Sequence, residues 1–225
     1  MTMIGVRIAH DGDFPPLTFV EGGRSRGLVI DLAVDVLARA GYEPDFVAVK
    51  LADHETALRA GTADAVAFKA MVPRFAATYD QSSPLLTTGA AWFAPARNGL
   101  PEGGPPDGAR VVTPASGPLV DLLKHDYPRV DLATVGTYAE ALGSVVDGAA
   151  DIAALNFHIG AYLARRDYPE AFAIPAAPFD RQPIAFCVLK GQNGELLDAF
   201  DTALRQALAD GLGRRLERQW LGGHR

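Results

Sequence analysis

Arg74 and Lys69 are the two cations whose neighbours suggest more than a solvated surface. The planar arginine guanidinium can grip a carboxylate through two parallel hydrogen bonds. The plain alternative for Arg74 is a surface arginine capping a helix. Lys69 follows a run that reads as a buried strand, residues 63–68. Its ammonium is then either solvated at the strand's end or aimed into a ligand cleft, where a second positive charge beside Arg74 favours an anionic ligand. Asp11 offers a carboxylate for an ammonium or for orienting a neighbour, although Asp11-Gly12 also invites an ordinary turn. Ser116 and Gly117 join a strand to a helix, where free N–H groups bind anions. Pro118 removes one of those donors, and simple capping by Ser116 is the alternative. Asn156 stands immediately before a helix over residues 157–166, where an asparagine caps well.

The remaining reactive types carry less. The five histidines (His10, His54, His125, His158 and His224) show no metal-ligand spacing. Cys187, the single cysteine, lies in an apolar run and reads as core, and one cysteine makes neither an intramolecular disulfide nor a cysteine-rich zinc site. The glycine- and proline-rich stretch 98–108 lacks the lysine and hydroxyl of a phosphate-binding loop. No catalytic residue, metal or cofactor is therefore expected.

These residues sit in a chain of 225, with 48% hydrophobic and 21% charged residues and a net charge of −6. The length suits one large domain or two lobes of roughly 100 residues. The acidic balance gives no field for nucleic acid, and no run reaches the ~18 apolar residues of a membrane span. The N-terminus has neither a basic segment nor a long apolar run, so no secretory signal is read in it.

Periodicity predicts strands over 6–9, 45–49, 63–68, 89–94, 110–113, 132–135, 151–155 and 184–189. Helices are predicted over 28–40, 53–60 (with Asp53 as N-cap), 119–125, 138–146, 157–166, 196–208 and 214–220. The alternation gives an α/β chain with mostly parallel sheets, made of two similar halves. Ligands of open α/β sheets bind at the carboxyl ends of strands.

Several pieces in the right order resemble one family. Residues 6–19 (Val-Arg-Ile-Ala-His-Asp-Gly-Asp-Phe-Pro-Pro-Leu-Thr-Phe), 27–32 (Gly-Leu-Val-Ile-Asp-Leu), 57–65 (Ala-Leu-Arg-Ala-Gly-Thr-Ala-Asp-Ala), 74–85, 147–156 and Asp210-Gly211…Trp220-Leu221 resemble family 3 of the bacterial extracellular solute-binding proteins. These are the amino-acid-type binding components of ABC importers. The resemblance implies a type II periplasmic-binding-protein fold, two lobes joined by two hinge strands with a ligand cleft between them. Lobe 1 would comprise residues 1–90 plus 184–225, and lobe 2 residues 91–183.

It also implies roles. Arg74 would hold the ligand α-carboxylate, although it stands two residues nearer Asp64 than the family pattern places it. Phe14 would form an aromatic wall and Asp11 a carboxylate beside it, with core packing as the alternative for Phe14. The second wall falls at Leu51, which leaves any aromatic sandwich one-sided. Ser116 and Gly117 match the family's ligand-gripping turn. Asn156 replaces the aspartate that pairs with the ligand ammonium. An amide brings no negative charge, which disfavours a standard α-amino acid unless Asp11 compensates and favours an organic acid.

The expected activity is capture of a small anionic or zwitterionic carboxylate by hinge closure, as a monomer serving an ABC permease. Alternatives are a sensory ligand-binding domain, or a dehydratase like the cyclohexadienyl dehydratases. The latter needs a general acid where this chain has Asn156. The resemblance implies a periplasmic location, with a cytoplasmic one open on the N-terminal sequence.

Overall fold

The computed structural model describes residues 3–115 and 119–222. Its chain divides into two compact units, Met1–Thr87 with Gln182–Arg225, and Thr88–Arg181. We call them units 1 and 2. Unit 1 opens with β1 (Ile4–Asp11), a small antiparallel sheet of β2 (Asp13–Phe14), β3 (Thr18–Glu21) and β4 (Arg24–Arg26), then α1 (Leu28–Arg39), β5 (Tyr42–Val49), α2 (His54–Arg59) and β6 (Ala65–Ala70). The long β7 (Tyr79–Pro95) carries the chain into unit 2. There follow β8 (Arg110–Pro114), α3 (Leu119–Asp126), β9 (Asp131–Val135), α4 (Tyr138–Val146), β10 (Ile152–Asn156), α5 (Phe157–Asp167) and β11 (Phe172–Ala173). β12 (Asp180–Leu189) brings the chain back, and α6 (Gly194–Ala209) and α7 (Leu212–Leu221) complete unit 1.

In unit 1 the strands β5, β1 and β6 are parallel, and β12 pairs antiparallel with β6. In unit 2 the strands β9, β8 and β10 are parallel, with β7 antiparallel to β10 and β11 antiparallel to β7. Strands covered on both faces must be apolar throughout, and Ile8, Ala9, Ala65, Val66 and Ala67 are fully buried. Leu28, Leu32 and Val36, with Val29, Ala33 and Leu37, form the buried stripe by which α1 covers this sheet. The start of α1 depends on Gly27. The amides of Leu28 and Val29 donate to the carbonyls of Pro16 and Leu17 at 2.7 and 3.0 Å. At φ 135°, a Cβ on Gly27 would meet the Leu17 oxygen at 2.2 Å, so glycine alone permits that approach.

One device recurs in both units. The backbone and side chain of Arg7 donate to the Asp64 carboxylate, and its guanidinium also reaches the Gly61 carbonyl. Arg110 treats Asp151 and the Gly148 carbonyl in the same way. Each Gly-x-x-Asp thus fixes a parallel strand neighbour, β6 beside β1 and β10 beside β8. The similarity of the halves is carried by these residues as well as by periodicity. The C-terminal pattern has a comparable reason. Trp220 Nε1 donates to Asp31 of α1 at 2.8 Å, and Arg39 of α1 donates to Asp210 at 2.7 Å.

Three expectations change. Asp53 lies in a 3-10 turn and makes no side-chain cap bond to α2. Lys69 lies inside β6 rather than after it. The pairing of β6 with β12 slips between Val66–Cys187 and Lys69–Ala185, a bulge that sets two residues against one. The slip puts Lys69 on the face of Val66 and Cys187. The strands predicted over 89–94 and 184–189 extend to 79–95 and 180–189. Their added parts are polar or proline-bearing and are held by specific bonds, such as the Ser83 amide to Asp201 at 2.6 Å.

In unit 2, Gly160 of α5 lets the helix lie against β7. A Cβ there would sit 2.4 Å from the Phe93 ring. Overpacking costs about 1–3 kcal/mol, while alanine regains roughly 0.5–1 kcal/mol of helix propensity. We expect Gly160→Ala to lower the stability of unit 2 by about 1–2 kcal/mol, read by urea unfolding followed through Trp92 fluorescence. An unchanged midpoint would show that Phe93 moves aside freely.

Candidate functional site

Because β5, β1 and β6 run parallel, their carboxyl ends form one edge of unit 1, the edge where open α/β sheets bind ligands. Asp11 ends β1, Leu51 lies two residues beyond β5, and Lys69 and Arg74 lie at and just after the end of β6. Four sequence-predicted site residues of unit 1 (Asp11, Phe14, Lys69 and Arg74) therefore belong to this end of the sheet or to the β2 strand leaving it.

Arg74 is exposed, in the 3-10 turn Pro73–Phe75. Its guanidinium lies over the Phe75 ring at 4.9 Å, and among the described residues it has neither an acidic partner nor a helix to cap. Lys69 is 6% exposed. Its ammonium donates to the Leu51 carbonyl at 3.3 Å and stands 5.8 Å from the centroids of both Phe75 and Tyr79. Burial lowers its pKa, opposed by the negative charges of Asp11 and Glu55. Next to it is His54, 2% exposed; its ring faces the His10 carbonyl, but neither nitrogen completes a hydrogen bond. Burial, and then the charge of Lys69, push the His54 pKa down to about 4. It is neutral at physiological pH.

Asp11 performs its turn role, since Oδ1 accepts the Asp13 amide at 2.9 Å. His10 is buried, its Nε2 bonded to Ser25 Oγ at 2.7 Å and its Nδ1 close to the Asp11 carbonyl. Phe14 is half-buried, 6.2 Å from Phe68 and packed on the main core of unit 1. Cys187 is buried, and desolvation pushes its thiol up to about 12, which makes it an inert core thiol.

In unit 2, Asn156 caps α5. Its Oδ1 accepts from the His158 and Ile159 amides at 3.1 and 3.3 Å, and its Nδ2 donates to Thr88 Oγ1 at 2.9 Å. Thr88 Oγ1 also lies 3.0 Å from Nδ1 of the fully buried His158. Ser116 and Gly117 lie outside the described residues. Among the described residues, no group of three His, Cys, Asp or Glu side chains is placed to hold a metal.

The model for the bacterial extracellular solute-binding proteins, family 3, matches residues 6–223. The chain belongs to that family. An ancestral cationic amino acid solute-binding protein is 25% identical with a TM-score of 0.82, over 96% of this chain and 95% of that one. The second substrate-binding domain of GlnP from Lactococcus lactis, in an open conformation, is 16% identical with a TM-score of 0.83, over 100% and 98%. The unliganded, open L-cystine solute receptor of Neisseria gonorrhoeae is 21% identical with a TM-score of 0.79, over 97% and 92%. The last two share the fold. No curated protein matches. The fold of this family 3 protein is thus the type II periplasmic-binding-protein fold.

Sequence reasoning did not single out His54, Thr88, His158, Phe75 or Tyr79 in this solute-binding protein. Their types are ordinary for a core. What distinguishes His54 is its lack of partners, which no spacing reveals. Thr88 becomes visible only once β7 is seen to pair with β10 beside Asn156.

Proposed function

We infer that this solute-binding protein captures a small carboxylate-bearing solute, an amino acid or an organic acid, by hinge closure for an ABC importer outside the cytoplasm. The observation that carries the carboxylate is Arg74. It is an exposed guanidinium steadied on Phe75 at the sheet's carboxyl edge, with its hydrogen-bonding fork engaged by no acid among the described residues. Ser116, Gly117 and Asn156 are the proposed contacts from unit 2, and Phe14 and Asp11 further ones from unit 1. A binding role fits better than a catalytic one. The elimination of water needs a general acid. Asn156, which stands where the dehydratases carry their acid, is an amide, and both nitrogens of His10 lie against Asp11 and Ser25.

The test is a thermal-shift screen with amino acids, dicarboxylates, aromatic and keto acids, prephenate and arogenate. A ligand at ~100 times its Kd adds about 2.7 kcal/mol, which raises the midpoint by several degrees. Small-angle scattering then follows the predicted contraction on saturation. If no carboxylate raises the midpoint, the reading falls.

Asn156 supplies a finer prediction. Asn156→Asp keeps the oxygen that caps α5 and adds a charge. We expect stability to change by about 1 kcal/mol or less, and ligands with an ammonium to gain on the order of tenfold over matched acids without one. An unaltered ligand ranking, measured calorimetrically, would remove Asn156 from the site.

A further inference from the structure

The geometry points to a solute with two acidic groups, the first held by Arg74 and the second received by Lys69 with His54. This rests on the reading of Arg74 as the carboxylate clamp and adds the class of ligand. An ammonium has three donors. Lys69 uses one, on a single long bond to the Leu51 carbonyl, and no acid pairs with it among the described residues. Aromatic faces at 5.8 Å offer partial compensation, less than an ion pair would at the same depth. A buried charge is ordinarily paired.

His54 is a second and independent sign. It is almost wholly buried, and although its ring faces the His10 carbonyl, neither nitrogen completes a hydrogen bond; a buried polar group without a full partner is rare in a finished structure. As a neutral imidazole it can donate one N–H to the same oxyanion that Lys69 attracts. The unsatisfied donors of Lys69, His54 and Arg74 outnumber the oxygens of a single carboxylate.

The spacing fits one small molecule. Arg74 and Lys69 approach the same Phe75 ring, at 4.9 and 5.8 Å from its centroid. Two charges sharing one ring are within the reach of a short diacid and its hydrogen bonds. The bulge in β6 is what makes this possible, because without it Lys69 would point to the opposite face. Asp11 and Glu55 are the acids whose charge acts on Lys69, and their hydrogen bonds run to the Asp13 amide and to Arg59 instead. The second group can be a carboxylate or a phosphate ester. Both present an oxyanion to Lys69.

The experiment is calorimetry with matched pairs that differ in the second acid: succinate and succinamate, glutamate and glutamine, O-phosphoserine and serine. We expect at least one diacid to bind 30-fold or more tighter than its partner. Whether that pair is a carboxylate or the phosphate pair identifies the source. Lys69→Met should reduce the ratio to within about threefold, while Lys69→Arg retains most of it, and His54→Asn should lower it partially. Thermal melts check folding, and if Lys69→Met fails to fold, His54→Asn carries the test. Equal affinity for both members of every pair, or a ratio untouched by the variants, would overturn the two-acid ligand and leave Arg74 as a clamp for monoacids. If no carboxylate binds and Arg74→Ala changes nothing, both readings fall together.

Discussion

Arg74→Ala is expected to abolish measurable capture of the solute while leaving the fold intact. Removing one partner of a hydrogen-bonded charge pair costs about 2–5 kcal/mol, which is on the order of 30-fold to several-thousand-fold in Kd. The folded state has little to lose. Arg74 is exposed, and its contact is a stacking on Phe75 in the adjacent position, so unfolding should move by no more than about 0.5 kcal/mol. That separation of effects makes the variant informative. Arg74→Lys keeps the charge but loses the planar fork, and it should fall between the two. Calorimetry with a hit from the thermal-shift screen reads the result. An affinity within a few-fold of the parent would remove Arg74 as the clamp, and the carboxylate would have to be sought at the residues of unit 2.

How much of this could be read from the sequence differs by residue. The alternation of apolar strands and amphipathic helices placed most elements to within a few residues, because α1, β8, α4, β10 and α5 bury their apolar positions. The failures have one physical origin, structure imposed from outside the segment. Residues 80–84 are polar and end in Pro84, yet they extend as strand because neighbours such as Asp201 supply hydrogen bonds. Lys69 looked like a residue beyond the strand end because a bulge cannot be seen without its partner strand.

The candidate site follows the same division. The family resemblance marked Arg74, and its place after an apolar run marked Lys69, as cations of interest, and the structure brings them to one ring, Phe75. The turn role of Asp11 and the capping role of Asn156 were readable as the plain alternatives, and both are realised. Neither fact decides a ligand role, since a carboxylate or amide has further lone pairs or donors to offer. His54 and His158 were dismissed by motif logic, which searches for metal spacing. Their meaning lies in burial, which a sequence does not display.

Those two histidines yield the last prediction, a loss of stability in mild acid. Both have folded pKa values near 4, against 6.5 for a free imidazole, because burial disfavours the cation and, for His54, Lys69 repels it. A depressed histidine stays neutral in the folded chain while the unfolded chain takes up a proton below its ordinary pKa. Stability is therefore full above about pH 6.5, falls as pH drops from there toward 4, and levels off below. Each group contributes about 3 kcal/mol over that window. The paired carboxylates Asp64, Asp80, Asp151 and Asp167, all held low by basic partners, lose their contribution only at lower pH, so they do not mask the effect. Urea unfolding at pH 7 and pH 4.5 should show the decrease, with Trp220 reporting unit 1 and Trp92 unit 2. His54→Gln should remove the larger part of the unit 1 response, leaving the loss from His10, also depressed by burial, and the opposite gain from Glu217, which burial raises, and His158→Gln should flatten that of unit 2. If the parent is equally stable at both pH values, the two rings are charged or solvated in the folded chain, and the unpartnered His54 that supports the second acid site is not as the structure draws it.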